Sequence, residues 1–325
     1  MSDIKTEVCF APMEGITGYI FRNVYNRFFG GIDRFYSPFI PTSQKDKLPP
    51  KYRRDIDPEN NRGITLIPQL LSKDPIRTAH TAVKLCTEYG YGEININCGC
   101  PSGTVTAGGR GAAMLADTGA LDAFFESLFK ELETAGPEGG RVPEISVKTR
   151  IGMSFVSEAE DILKVYNRYP ISTLIIHPRL KDEYYGGSVH MDVFDHMYEE
   201  STHPVIYNGD IKSPQDYEKI FKDHPGIQAV MIGRGLLADP ALAERIKGTE
   251  ADGTYISRLK EYVRALCDAY FSVYKDERNT LFKMKELWNF LASNTKDPEK
   301  TLRLIRRAHD LAEYKATVNR VFDTE

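Results

Sequence analysis

At 325 residues the chain exceeds what one ordinary core requires and fits an α/β barrel carrying a small appendage, while its net charge of −4 excludes a generally basic surface. Five cysteines, at positions 9, 86, 98, 100 and 267, form no CxxC pair, which argues against a disulfide framework or a structural zinc and reads as reduced thiols. No apolar run approaches the roughly 18 residues of a membrane span, and residues 1–5 lack the basic-then-apolar order of a signal peptide, so a soluble, cytoplasmic protein is expected.

In chain order, short β-branched or apolar runs alternate with helical periodicity. Strands are predicted at 8–12, 34–37, 65–70, 94–97, 145–148, 174–177, 205–208 and 230–233. Amphipathic stretches fill most gaps. Residues 74–89 place Ile76, Ala79, Ala82, Val83 and Cys86 on one helical face, and 117–132 do the same with Leu121, Phe124, Phe125 and Leu128. Eight βα units predict an α/β fold of the (β/α)8 TIM-barrel type over residues 1–250. A Rossmann fold would need a glycine-rich fingerprint after its first strand, whereas the run from Gly108 to Ala113 follows the fourth. Beyond residue 250 the pattern is wholly helical, with helices predicted at 255–274, 281–292 and 298–321 that form a small all-α bundle over 251–325.

In a barrel of this kind the carboxyl ends of the strands converge on one face, where active sites are built. Here those ends carry Gln69, Asn97, Lys148, Arg150, His177, Arg179, Asn208, Asp210 and Arg234. A single such residue is as easily a solvated group, but nine in matching positions mark a site. The fourth strand runs into Asn97-Cys98-Gly99-Cys100-Pro101, which brings a thiol to that face and makes Cys100 a candidate acid or nucleophile; a buried turn cysteine is the bland alternative. Cys98 is the rival thiol, and alternation along an extended chain points it the other way. The last two strands end in Asn208-Gly209-Asp210 and Gly233-Arg234-Gly235, at the usual phosphate position of these barrels. Lys148 adds a positive charge suited to an electron-accepting ring. Flavin mononucleotide (FMN) meets both demands.

The bundle reverses the sign of the charge. Residues 255–325 hold 14 Lys and Arg against 11 Asp and Glu. That bias points to a polyanion footprint, with Lys283, Lys285, Arg303, Arg306 and Arg307 as candidate contacts, beside the plainer reading of a solvated helical surface.

Taken together, Ala11-Pro12-Met13-Glu14-Gly15-Ile16-Thr17, Gln69-Leu70 with Asp74-Pro75, Asn97-Cys98-Gly99-Cys100-Pro101, Val147-Lys148-Thr149-Arg150, His177-Pro178-Arg179, Asn208-Gly209-Asp210 and Gly233-Arg234 resemble the flavin-dependent tRNA-dihydrouridine synthases along nearly the whole chain. The resemblance implies FMN-mediated reduction of the C5–C6 bond of specific tRNA uridines, with NADPH or NADH as reductant. It implies that Pro12, Met13 and Glu14 line the flavin, that Gln69 and Lys148 contact its ring, and that Asn208, Gly209, Asp210, Gly233 and Arg234 hold its phosphate. Cys100 would be the proton donor. Asn97, His177 and Arg179 would face the uracil or the flavin edge with Arg150 near them, and the bundle would grip tRNA through residues such as Lys283 and Lys285. The expected partner is tRNA, with no membrane, no metal and a monomeric chain. Ser102-Gly103-Thr104, Asn95, Gly18 and Pro178 depart from the usual pattern and bear on which substrate is used. The alternative is an FMN barrel acting on a small molecule of the dihydroorotate or dihydropyrimidine type.

Overall fold

The computed structural model describes residues 7–42, 48–135, 141–251 and 253–323, so the opening residues 1–5 lie outside it. Ten strands follow in chain order: β1 (Glu7–Phe10), β2 (Arg34–Tyr36), β3 (Ile40–Pro41), β4 (Leu66–Ile67), β5 (Gln69–Leu71), β6 (Glu93–Cys98), β7 (Glu144–Gly152), β8 (Thr173–Leu180), β9 (Val205–Tyr207) and β10 (Ala229–Ile232). They form one parallel sheet in the order β3-β5-β6-β7-β8-β9-β10-β1-β2-β4. β4 and β5 are halves of one predicted strand, interrupted at Pro68, which has no N–H to give to the ladder. Its carbonyl still accepts from the Asn95 N–H at 2.9 Å. With these halves taken as one stave between β2 and β6, the sheet closes on itself as the eight-stave barrel expected from the sequence. β3 is a short extra strand beside β5 that the sequence pattern does not reveal.

Period-two alternation sorts the strand residues. Val8, Phe10, Ile94, Ile96, Val147, Leu174 and Ile176 pack outward under the helices. Cys9, Ala11, Tyr36, Ile67, Ile175, Ile206, Ala229 and Met231 fill a separate inner cluster. Lys148 lies in register with Ile175, so it shares that inner face, and Asn97 lies in register with Lys148. Polar residues at inner positions near the carboxyl ends therefore point into the mouth.

The helix Pro75–Tyr89 is capped by Asp74, which accepts from the Arg77 N–H at 3.1 Å, and ends at Gly90 in the left-handed conformation. Ile76, expected on its buried face, is instead 51% exposed, and the buried face of this helix begins at Thr78. The bundle contains four helices where three were expected: Tyr255–Tyr274, Glu277–Leu291, Pro298–Arg307 and Leu311–Phe322. The predicted helix 298–321 breaks because Ala308 is extended and Asp310 starts a new N-cap, accepting from the Glu313 N–H at 2.8 Å. Tyr262 packs the bundle against the barrel, with ring contacts to Tyr25, Phe28 and Phe29. Among the described residues no helix is long and apolar enough to cross a membrane.

Candidate active site

A cavity of about 560 Å3 opens at the carboxyl ends of the strands. Its lining contains Pro12, Met13, Glu14, Gln69, Asn97, Cys100, Lys148, Arg150, His177, Asn208, Gly209, Asp210, Gly233 and Arg234, so residues spread over more than 220 positions of sequence meet in one place.

The Asn97 amide builds the cysteine turn. Its oxygen accepts from the Gly99 N–H at 3.1 Å and the Cys100 N–H at 2.9 Å, and its nitrogen donates to the Gln69 side-chain oxygen at 2.8 Å. Gln69 donates onward to Asn95, and Asn95 to Ser146. This closed amide chain explains how four polar side chains stand inside a barrel without penalty. It also gives Asn97 a positioning task in addition to any contact with substrate. Gly111, at φ +61°, packs against the Cys100 carbonyl, where a Cβ would come within 2.8 Å.

Cys100 is partly exposed in the cavity, and burial raises its thiol pKa despite a backbone hydrogen bond from Ser102 and the nearby Lys148. The thiol is therefore protonated at neutral pH. Cys98 faces the opposite side of the strand, fully buried beside Tyr166, and burial lifts its thiol to about 12.

Lys148 makes no hydrogen bond or ion pair with another described residue. Burial, with the Arg150 charge adding to it, lowers its ammonium pKa to about 7, so the fixed charge expected from the sequence is a titrating one. Burial and the cations Lys148, Arg150, Arg179 and Arg234 push His177 well below its ordinary range, leaving it neutral. The Arg179 Nη1 donates to its Nε2 at 3.1 Å, so the remaining proton belongs on Nδ1.

Arg150 and Arg179 both make structural contacts, and they divide at the cavity wall. Arg179 lies behind the lining: it is 1% exposed, binds the Gly186 and Gly187 carbonyls, and pairs with Asp210. Its guanidinium ties the 180s loop to His177 and Asp210 on the barrel and does not line the cavity. Arg150 does reach the cavity, yet its guanidinium donates to the carbonyls of Gly99, Leu180 and Tyr184. The Asp210 carboxylate bridges Arg179 and Arg234; burial raises its pKa, but these arginines outweigh that and hold it low. Asp210 thus fixes the Arg234 guanidinium at the cavity wall. Gly235 is needed by contact, because a Cβ there would stand 2.2 Å from the Ile211 carbonyl.

Tyr184 and Tyr185, absent from the sequence reading, also line the cavity. The Tyr185 ring lies 5.5 Å from the Arg150 Cζ and 5.2 Å from the Arg234 Cζ, and stacks 6.3 Å from His177. The aromatic pair before Gly186-Gly187, just past a strand end, is the signal that was available. Lys283 and Lys285 lie away from the cavity lining. Lys283 donates to the Gly15 carbonyl at 2.6 Å, and Lys285 caps a helix end through the carbonyls of Arg306 and Ala308.

The residues fit a flavin phosphate and ring: a half-buried amine without a side-chain partner among the described residues, an arginine held in place, and a glycine against which backbone approaches closely. Comparison with known proteins agrees in family and in fold. The family described as dihydrouridine synthase (Dus) matches residues 9–323. The chain is 30% identical over 247 residues to a tRNA-dihydrouridine(16) synthase of Pseudomonas putida, covering 74% of this chain and 73% of that protein. It is 27% identical over 325 residues to a protein of the same name from Neisseria meningitidis serogroup A, covering 97% and 94%. Among solved structures, morphinone reductase superposes with a TM-score of 0.51 over 75% of this chain and 86% of that one, at 13% identity, a likeness of fold.

Proposed function

Because the chain belongs to the dihydrouridine synthase family, we propose that it reduces uridines of tRNA to 5,6-dihydrouridine, with FMN as its bound cofactor and NADPH or NADH as reductant. The observation that carries this reading is a protonated, partly exposed Cys100 thiol in the same cavity as the unpartnered Lys148 and the Asp210-held Arg234. Its division of labour is a catalytic barrel over 1–250 and a tRNA-gripping bundle over 251–325.

Arg234, Gly209, Gly233 and the backbone around Asn208 would hold the cofactor phosphate, and Lys148, Gln69 and the Pro12-Met13-Glu14 turn would flank the ring. Bound there and reduced by the nicotinamide, FMN would supply the hydride that adds to C6 of the uracil. The base must leave its stack to enter so deep a cavity. Asn97 and Arg150 hold the Cys100 turn rigid through Gly99 on one side and the 180s loop on the other. The Cys100 S–H then gives its proton to C5, and the thiolate is reprotonated from water. Neutral His177 offers no imidazolium proton of its own, and the cations around it favour an electron-rich ring. The curated relatives named for position 16 make that uridine the first to map.

The test replaces Cys100 with Ala in the FMN-loaded protein. Flavin absorbance and NADPH oxidation should persist, while dihydrouridine in tRNA, read by nucleoside mass spectrometry, should fall by at least about a hundredfold, the usual worth of a positioned acid. Wild-type yields from the variant would remove Cys100 from the mechanism, and a purified protein that takes up no flavin would remove the whole reading.

A further inference from the structure

A second cavity, of about 450 Å3, adjoins the first, and Glu14 lines both. The turn between them divides its residues: Met13 faces the first cavity, and Gly15 and Ile16 face the second. The walls of the second are aromatic. Tyr19 and Tyr52 come from the barrel side, and Tyr270 and Tyr274 come from the bundle helix Tyr255–Tyr274. The last two rings stack 5.6 Å apart and 15° from parallel, which makes a flat panel, and the outer ring, Tyr274, is 38% exposed. Lys51 and Lys283 also line the space. Lys51 is largely solvent-exposed, with its Nζ 5.1 Å from the Tyr52 ring centroid, while Lys283 fastens the bundle to the dividing turn through the Gly15 carbonyl. Of the lining carboxylates, Asp55 is engaged by Arg22 and the Tyr19 N–H and Glu14 by Lys51 at 3.7 Å, while Lys51, Arg54 and Lys283 make the lining cations three, so the lining is cationic on balance.

A core void would be closed and apolar, and a protein-docking face would have little use for a deep slot walled by four tyrosines. A planar ring attached to a phosphate suits both the walls and the lysines. Its source follows from the reaction: a uracil drawn into the first cavity deprives its neighbour in the strand of a stacking partner, and an aromatic panel one turn of backbone away restores one. We propose that this second cavity receives a base flanking the target uridine in the same RNA strand, stacked on Tyr274 with Lys51 at its phosphate. The proposal rests on the tRNA reading above and adds a second recognised nucleotide to it.

The experiment measures tRNA binding by fluorescence anisotropy alongside steady-state kinetics, using the FMN-loaded full chain. Tyr274→Ala should weaken tRNA binding and raise KM for tRNA about tenfold with kcat largely kept, and Tyr274→Phe should restore both. Tyr52→Ala provides a second variant on the opposite wall and should act in the same direction. A tRNA made abasic at one nucleotide next to the target uridine should bind the wild-type protein about tenfold more weakly yet lose nothing further with Tyr274→Ala, the signature of a broken pairwise contact. Wild-type tRNA affinity in both alanine variants, or a raised KM for NADPH in place of tRNA, would overturn the proposal and, in the second case, give the cavity to the reductant. If the wild-type protein itself neither binds tRNA nor forms dihydrouridine, the functional reading fails and this inference with it; if it does both and the variants match it, the inference alone fails.

Discussion

Cys100 differs from its neighbours in chemistry because of where its backbone is held. Burial raises the thiol pKa of Cys98 to about 12 and of Cys267 to about 11, locking both as inert hydrophobes, whereas Cys100 keeps a path to the cavity. Its own pKa is raised by burial, so the proton it donates is present through neutral pH and is lost only as pH climbs through that raised value. Dihydrouridine formation should therefore decline on the alkaline side, and the decline should vanish from the pH profile of Cys100→Ala. Lys148 releases its proton at a far lower pH than an ordinary lysine. In the unfolded chain it would hold its proton to about pH 10.4, while in the folded protein it releases it at about 7. Unfolding then takes up a proton across that interval, so the cofactor-free protein should gain stability as pH rises from 7 towards about 10. Lys148→Met should flatten that rise in urea titrations at pH 6.5 and pH 9. At this scale alternation in the sequence separates Cys98 from Cys100, whereas the expectation that Arg179 faces the uracil or the flavin edge comes from the family resemblance. That residue turns back because the carbonyls of Gly186 and Gly187 and the carboxylate of Asp210 satisfy it first.

Elements end where a local group can take the orphaned backbone. Pro68 splits one stave into β4 and β5 without opening the barrel, because its carbonyl still pairs with β6. The bundle helix predicted as one segment becomes two because Asp310 offers a carboxylate to the next turn, and Lys285 collects the carbonyls left over from the helix before it. Asp310→Ala should cost about 1 kcal/mol of stability, measured by thermal or denaturant unfolding, with flavin binding intact. Apolar periodicity runs through positions 298–321 without a break, so only the cap residue marks the boundary in sequence. The 180s loop shows the same limit. Its tyrosines carry no periodic signal, and their place over the cavity follows from two arginines and a histidine contributed by three separate strand ends.

Across the whole molecule the bundle is joined to the barrel by packing as well as by chain. Tyr262 inserts among Tyr25, Phe28 and Phe29, and Arg258 of the bundle pairs with Glu244 of the barrel at 2.6 Å. Tyr262→Ala should destabilise the protein by about 3–5 kcal/mol, the range for emptying a buried aromatic site. Its unfolding curve should split into two transitions if the bundle loosens before the barrel. The alternation of eight short apolar runs with amphipathic stretches determined the barrel by itself, since period two and period 3.6 are properties of consecutive residues. The polar strand ends, the cysteine turn and the glycine-arginine terminus were determined the same way, because topology brings every such end to one rim. Tertiary structure alone decided which of those side chains meet a ligand and which brace one another, and it alone built the tyrosine cavity between barrel and bundle. Hydrogen-bond satisfaction and aromatic contact depend on partners as much as 268 residues apart in the chain, as between Gly15 and Lys283, and no local pattern encodes them.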